Sequence, residues 1–239
     1  MRSVIEKFID IQKGILSDFS MKWEADTCEE TFRDDVKNYY GFENKFGWNI
    51  MLNSYYVLDD TELAKASFIK FQLQGPYRHK DTGERYLCLY GLLNSVYQQK
   101  IAIDNLVEIF KVPNSKLISK PLNNCAIIIL RNKIAAHPSN YSLAKEDSEH
   151  KFDVYEISRP DLDSDSITLL RNQNHFEKYD LIEILKEFDD QIENILELIT
   201  TKIIKKIFNN NGKYYQNLDE LKQIRDGAII CGDEIIRFK

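Results

Sequence analysis

Arg131, Asn132 and His137 are the residues of this 239-residue chain whose types and spacing best suit chemistry. They fall in residues 127–141, which read I-I-I-L-R-N-K-I-A-A-H-P-S-N-Y. A histidine with an ordinary pKa near ~6.5 moves protons at neutral pH. An arginine stays cationic and offers phosphate oxygens two donors in a fixed fork. Together they suit acid–base chemistry at a phosphate. Arg131 would stabilise the charge that builds up there, and Asn132 would hold an oxygen or orient the imidazole.

The spacing sets a geometric condition. Arg131 and His137 are six residues apart, so on one straight α-helix they would stand about 9 Å apart and roughly 120° out of phase. Pro138 disfavours the α conformation at His137, which places the His where the helix ends or kinks. Either a bend gathers the two groups, or a second copy of the helix across a two-fold axis supplies its own pair. Ala135 and Ala136 are small enough to let two backbones come close.

The pattern Arg131-Asn132-x4-His137 resembles the signature of the HEPN superfamily, in which an Arg and its polar neighbour precede a His by a few residues. The resemblance implies a mainly α, HEPN-like helical bundle, commonly a homodimer whose two Arg–His pairs line one cleft. It also implies a cytoplasmic, metal-independent endoribonuclease, of the kind found among toxin–antitoxin and other defence effectors. The expected reaction is attack of a ribose 2′-OH on the adjacent phosphate, leaving a 2′,3′-cyclic phosphate. The toxin branch carries a Tyr two residues after the His, whereas this chain has Ser139, and its nearest Tyr is Tyr141. Lys133, Tyr141 and Gln99 are the expected substrate contacts around catalytic Arg131, His137 and Asn132. No metal or cofactor is expected. The alternative is a non-catalytic module that binds a nucleotide or a protein, and a cognate antitoxin is a further expected partner.

Composition bounds these readings. Hydrophobic residues make up 43% and charged residues 29%, ordinary for a globular chain that buries a full core. Net charge is −6 and the pI about 5.4, so a broad nucleic-acid-binding face, which shows as a basic excess, is not expected; a local cleft is. Cys28, Cys88, Cys125 and Cys231 form no C-x-x-C and no disulfide framework. Acids interrupt the first ten residues, which argues against a signal peptide, and no apolar run is long enough to cross a membrane. G-x-G-x-x-G, P-loop, H-E-x-x-H and G-x-S-x-G motifs are absent.

The elements that must position the motif follow from periodicity. Val4, Ile5, Phe8, Ile11, Ile15 and Phe19 recur at helical spacing. Thr27-x-x-Glu30 is a capping box opening a second helix, which Gly41 stops. Asp59-x-x-Glu62 is expected to start another, and the aromatic residues of 42–58 are expected to be core. A loop around 75–83 carries Arg78, His79 and Lys80, more often a solvated loop than a phosphate contact. Residues 84–111 form the strongest helix. Residues 114–120 read as a connector, and Pro121 as the first residue of a helix over about 122–136 that packs antiparallel to it. Runs at 152–157 and 167–170 predict an inserted β-hairpin at about 151–172. Asp161, Asp163 and Asp165 within it fail a Ca²⁺ loop, since its sixth and twelfth positions are Ser166 and Asn172. A long helix over 178–208 follows, then a small terminal hairpin. Residues 1–75 are expected to be an N-terminal helical extension, and 76–239 the bundle itself.

Overall fold

The computed structural model describes residues 3–20, 29–77, 81–136, 141, 153–162, 164–208, 212–225, 229–231 and 234–236. The fold is mainly helical with small antiparallel sheets. Helix α1 (Val4–Ser20) opens on a capping box: the Ser3 hydroxyl accepts the Glu6 N–H at 3.1 Å, and the Glu6 carboxylate accepts the Ser3 N–H at 2.6 Å. Its apolar stripe buries Ile5, Phe8, Ile11 and Ile15. Helix α2 (Glu29–Tyr40) ends at Gly41, whose φ of +67° is the left-handed terminator that glycine adopts without strain.

Helix α3 runs unbroken over Gly47–Phe71. The expected start at Asp59 does not occur: residues 48–71 hold no Gly or Pro to interrupt the hydrogen-bond ladder, so Asp59 and Glu62 lie in mid-helix. The aromatic residues of 42–58 divide. Phe42 and Tyr55 are buried, while Phe46 and Tyr56 are exposed. Helix α4 (Thr82–Ile109) matches the strongest sequence pattern closely, burying Leu89, Leu92, Leu93, Val96, Ile103 and Leu106.

Two compact units result. One gathers Met1–Asp59, Ala102–Ile118 and Ile192–Lys239; the other gathers Asp60–Ile101 and Ser119–Gln191. In the first unit Tyr40, Phe42 and Phe110 stack with centroids 5.4–5.9 Å apart, and the buried Gln12 amide donates to the Thr200 hydroxyl at 2.8 Å.

The second unit holds the motif. Helix α5 (Ser115–Asn124) starts before the expected connector ends, because Asn114, in the left-handed region at φ 59°, turns its carbonyl toward the N–H groups of Leu117 and Ile118. Pro121 consequently sits inside α5 rather than at a helix start. Cys125, with ψ 138°, breaks the chain into a separate α6 (Ala126–Arg131). A π-helical turn, Asn132–Ala136, follows directly.

The inserted β-structure is larger than the hairpin expected at 151–172. Strands β1 (Tyr155–Ile157), β2 (Ser166–Arg171) and β3 (His175–Asp180) form an antiparallel sheet in the order β1-β2-β3. The tight turn joins β2 to β3 through the three residues Asn172, Gln173 and Asn174, the first two at positive φ, with the Asn174 N–H donating to the Arg171 carbonyl at 3.2 Å. Pairing sets Tyr155 opposite Arg171, Leu169 opposite Glu177 and Ile167 opposite Tyr179. Alternation therefore puts Tyr155, Leu169, Glu177 and Tyr179 on one face. Asp180 caps α7 (Leu181–Phe208) through the N–H groups of Ile182 and Glu183, both at 3.0 Å. The helix expected from 178 thus begins three residues later. Helix α8 (Gly212–Arg225) and a terminal hairpin, β4 (Ile229–Cys231) with β5 (Glu234–Ile236), complete the chain. No described helix is long and apolar enough to cross a membrane.

Candidate functional site

The apolar run of α6 anchors the motif. Ile127, Ile128 and Leu130 are buried, so the next residues emerge at a fixed height and phase beside α4. Arg131, half-buried, lays its guanidinium over the ring of Tyr97, with Cζ 3.8 Å from the ring centroid. It also donates to the Asn132 side-chain oxygen at 3.1 Å. A planar cation on an aromatic face is held by the ring quadrupole and by stacking. Its remaining donors stay in their own plane, ready for an anion. Among the described residues, Arg131 forms no ion pair with a carboxylate.

Lys133 goes the other way. Two residues on from Arg131, it projects from the opposite side of the turn onto the sheet face described above. It is buried, and its Nζ donates to Glu177 at 2.5 Å and to the Tyr179 hydroxyl at 2.9 Å. It also stands over the Tyr155 ring, 4.7 Å from the centroid. The Tyr179 hydroxyl donates to Glu177 at 2.7 Å. Burial pushes the Glu177 carboxyl up, but hydrogen bonds from Lys133 and Tyr179 and the charges of Lys133 and Arg171 outweigh it, and the group titrates below its ordinary range. Burial and the adjacent Glu177 hold Tyr179 well above its ordinary value, and Tyr155 is raised to about 12 by the same two causes. Lys133, an expected substrate contact, thus has its ammonium engaged by Glu177 and Tyr179 inside the fold.

Tyr141 packs edge-on to Tyr155, with centroids 5.9 Å apart, and its carbonyl accepts the Asp153 N–H at 3.0 Å. It belongs with the Lys133 cluster. Gln99 is also elsewhere. Fully buried, it donates to Glu62 at 2.6 Å. Two residues from Tyr97 on α4, it faces roughly the opposite side of that helix. Glu62 in turn pairs with Lys65 at 2.5 Å, and Lys65 with Asp189 at 2.5 Å. Gln99, an expected substrate contact, is thus placed with Glu62 rather than beside Arg131. His137 lies outside the described residues, as do Arg78, His79 and Lys80.

Beside the π-turn a cleft of about 310 Å³ opens, lined by residues that include Tyr86, Tyr90, Ile134, Tyr155 and Arg159. Tyr86 and Tyr90 are stacked, with centroids 6.0 Å apart and planes at 30°. Sequence reasoning passed over Tyr97, Tyr155, Glu177, Tyr179 and this cleft. The available signal was Tyr86, Tyr90 and Tyr97 on α4, whose spacings of four and seven put them on one helix face. Among the described residues, no group of three His, Cys, Asp or Glu is placed to hold a metal ion. Comparison with models of known protein families, with curated proteins and with solved structures found no match to the chain.

Proposed function

We propose that the chain is a metal-independent endoribonuclease of HEPN type, acting as a homodimer with Arg131 and His137 as the catalytic pair. The observation that carries this reading is the state of Arg131: half-exposed, stacked on Tyr97, steadied by Asn132, and without a described carboxylate partner. A guanidinium held this way is an anion receptor organised before its ligand arrives. In the reaction, His137 takes the proton of a ribose 2′-OH. The 2′-oxygen forms a bond to the adjacent phosphorus, and the bond from phosphorus to the 5′-oxygen breaks. Arg131 stabilises the equatorial oxygens as their charge rises, and a proton passes to the departing 5′-oxygen. The products are a 2′,3′-cyclic phosphate and a 5′-hydroxyl.

The test is cleavage of single-stranded RNA in EDTA by the purified chain. Arg131→Ala and His137→Ala are each expected to lower kcat/KM by about 10²- to 10⁴-fold. Equal cleavage by wild type and both variants would remove the proposal. A second reading, a non-catalytic nucleotide- or protein-binding module, is favoured by the commitment of Lys133 to Glu177, which leaves the turn one outward cation, and by the net charge of −6. RNA bound tightly with no product would select it. A cognate antitoxin that silences the enzyme would be seen as a protein co-purifying from the native host.

A further inference from the structure

We infer that the cleft beside the π-turn is a nucleobase subsite, in which an unpaired RNA base stacks on Tyr90 and Tyr86 while Arg159 meets the neighbouring phosphate. The inference deepens the ribonuclease reading and rests on it. Two independent features point to this occupant. First, Tyr90 is 40% exposed, and its ring is already aligned with that of Tyr86. An exposed aromatic pair costs solvation unless a flat partner covers it, and every base has a π-face to offer. Second, Arg159 is exposed at the rim of the same cleft, and among the described residues it has no ion pair.

The arrangement along α4 ties this subsite to Arg131. Tyr86, Tyr90 and Tyr97 fall within about 40° of one another around the helix. Tyr90 and Tyr97 are about 10 Å apart along its axis, the length of two to three nucleotides at roughly 3.4 Å each. Ile134, three residues beyond Arg131, lines the same cleft. A single strand whose phosphate sits on Arg131 therefore carries a nearby base onto Tyr90 with no bend in the protein.

The experiment measures the full chain binding a short fluorescein-labelled single-stranded RNA, 2′-O-methylated at every ribose so that no attack occurs, by anisotropy in EDTA. Tyr90→Ala is expected to weaken binding by about ten- to a hundredfold, whereas Tyr90→Phe, which keeps the π-face, stays within about twofold of wild type. Arg159→Ala is expected to reduce the salt slope of log K by about 0.7 between roughly 50 and 200 mM. In a parallel assay on cleavable RNA, Tyr90→Ala raises KM by the same factor as it weakens binding. Equal binding by Tyr90→Ala and wild type, an equal loss for Tyr90→Phe and Tyr90→Ala, or equal affinity for double-stranded RNA would each overturn the subsite. So would a wild-type chain that binds no oligonucleotide, which would leave the cleft to a protein partner. If the wild type binds through Tyr90 but releases no product, the catalytic reading fails and the subsite stands. If it cleaves with a KM indifferent to Tyr90, the reverse holds.

Discussion

Lys133→Met separates a structural lysine from a substrate-binding one. The ammonium is 6% exposed and lies 2.5 Å from Glu177, whose side chain is 20% exposed. Methionine keeps the apolar stem and removes the charge, so Glu177 stays buried without its cation. Breaking a buried ion pair from one side costs about 3–5 kcal/mol. The remaining exposure of Glu177 and its bond from Tyr179 argue for the lower end, about 3 kcal/mol. The sign with pH follows from Glu177. Its folded pKa is depressed, so its contribution is present above the ordinary carboxylate range and is lost as pH falls through the lowered value. The deficit of Lys133→Met against wild type is therefore full at neutral pH and shrinks on acidification. Urea denaturation followed by circular dichroism, at neutral and acidic pH, measures both. The double variant Lys133→Met/Glu177→Gln is expected to recover about half of the loss or more, since it removes the orphaned charge. A single-variant loss below about 1 kcal/mol, or a double variant no better than the single one, would refute the reasoning. A lysine that served substrate alone would instead raise KM with stability unchanged.

Two further outcomes follow from other parts of the fold. Burial raises the Asp189 carboxyl from 3.8 to about 6 against the pull of Lys65, so its contribution is present at low pH and lost as pH rises through about 6. Relative to Asp189→Asn, the wild type should lose about 3 kcal/mol between roughly pH 4 and 6, and a pH-independent difference in urea melts would contradict this. Gly41→Ala, at φ +67° and with its new Cβ directed at the Lys206 side chain, should cost about 1–2 kcal/mol, read as a lowered Tm.

Legibility in the sequence followed the kind of signal each element sends. The stripe Leu181, Leu185, Phe188, Ile192, Ile195, Ile199, Ile203 and Ile207 forecast α7, and all of these residues are buried except Ile207, which is half-buried; the pattern of α4 was as clear. Where polar residues form the structure, it was not. Strand β3 reads H-F-E-K-Y-D with most of its residues exposed or half-buried, so no apolar alternation announces it. Its turn is Asn-Gln-Asn, with no glycine to signal a hairpin. Without β3 the partners of Lys133 were invisible, because Glu177 and Tyr179 lie 44 and 46 residues further along the chain. The motif itself stood out as residue types, and Arg131 lies over Tyr97 of α4. The π-turn has no sequence period of its own to read.

The division between Arg131 and Lys133 explains why the turn can present one cation accurately. Each is held by an aromatic wall, Tyr97 on one side and Tyr155 with Tyr179 on the other. The buried lysine locks the turn to the sheet through Glu177, and that anchor fixes where the chain leaves α6. Arg131 then lies over Tyr97, its Cζ 3.8 Å from the ring centroid. Lysine at 131 would not substitute, since a rotating ammonium lacks the planar fork that stacks and grips two oxygens at once. Nor would arginine at 133, whose fork exceeds the room between Glu177 and two tyrosine rings that now closes around a single Nζ. The two positions are both basic, yet one calls for a plane and the other for a point.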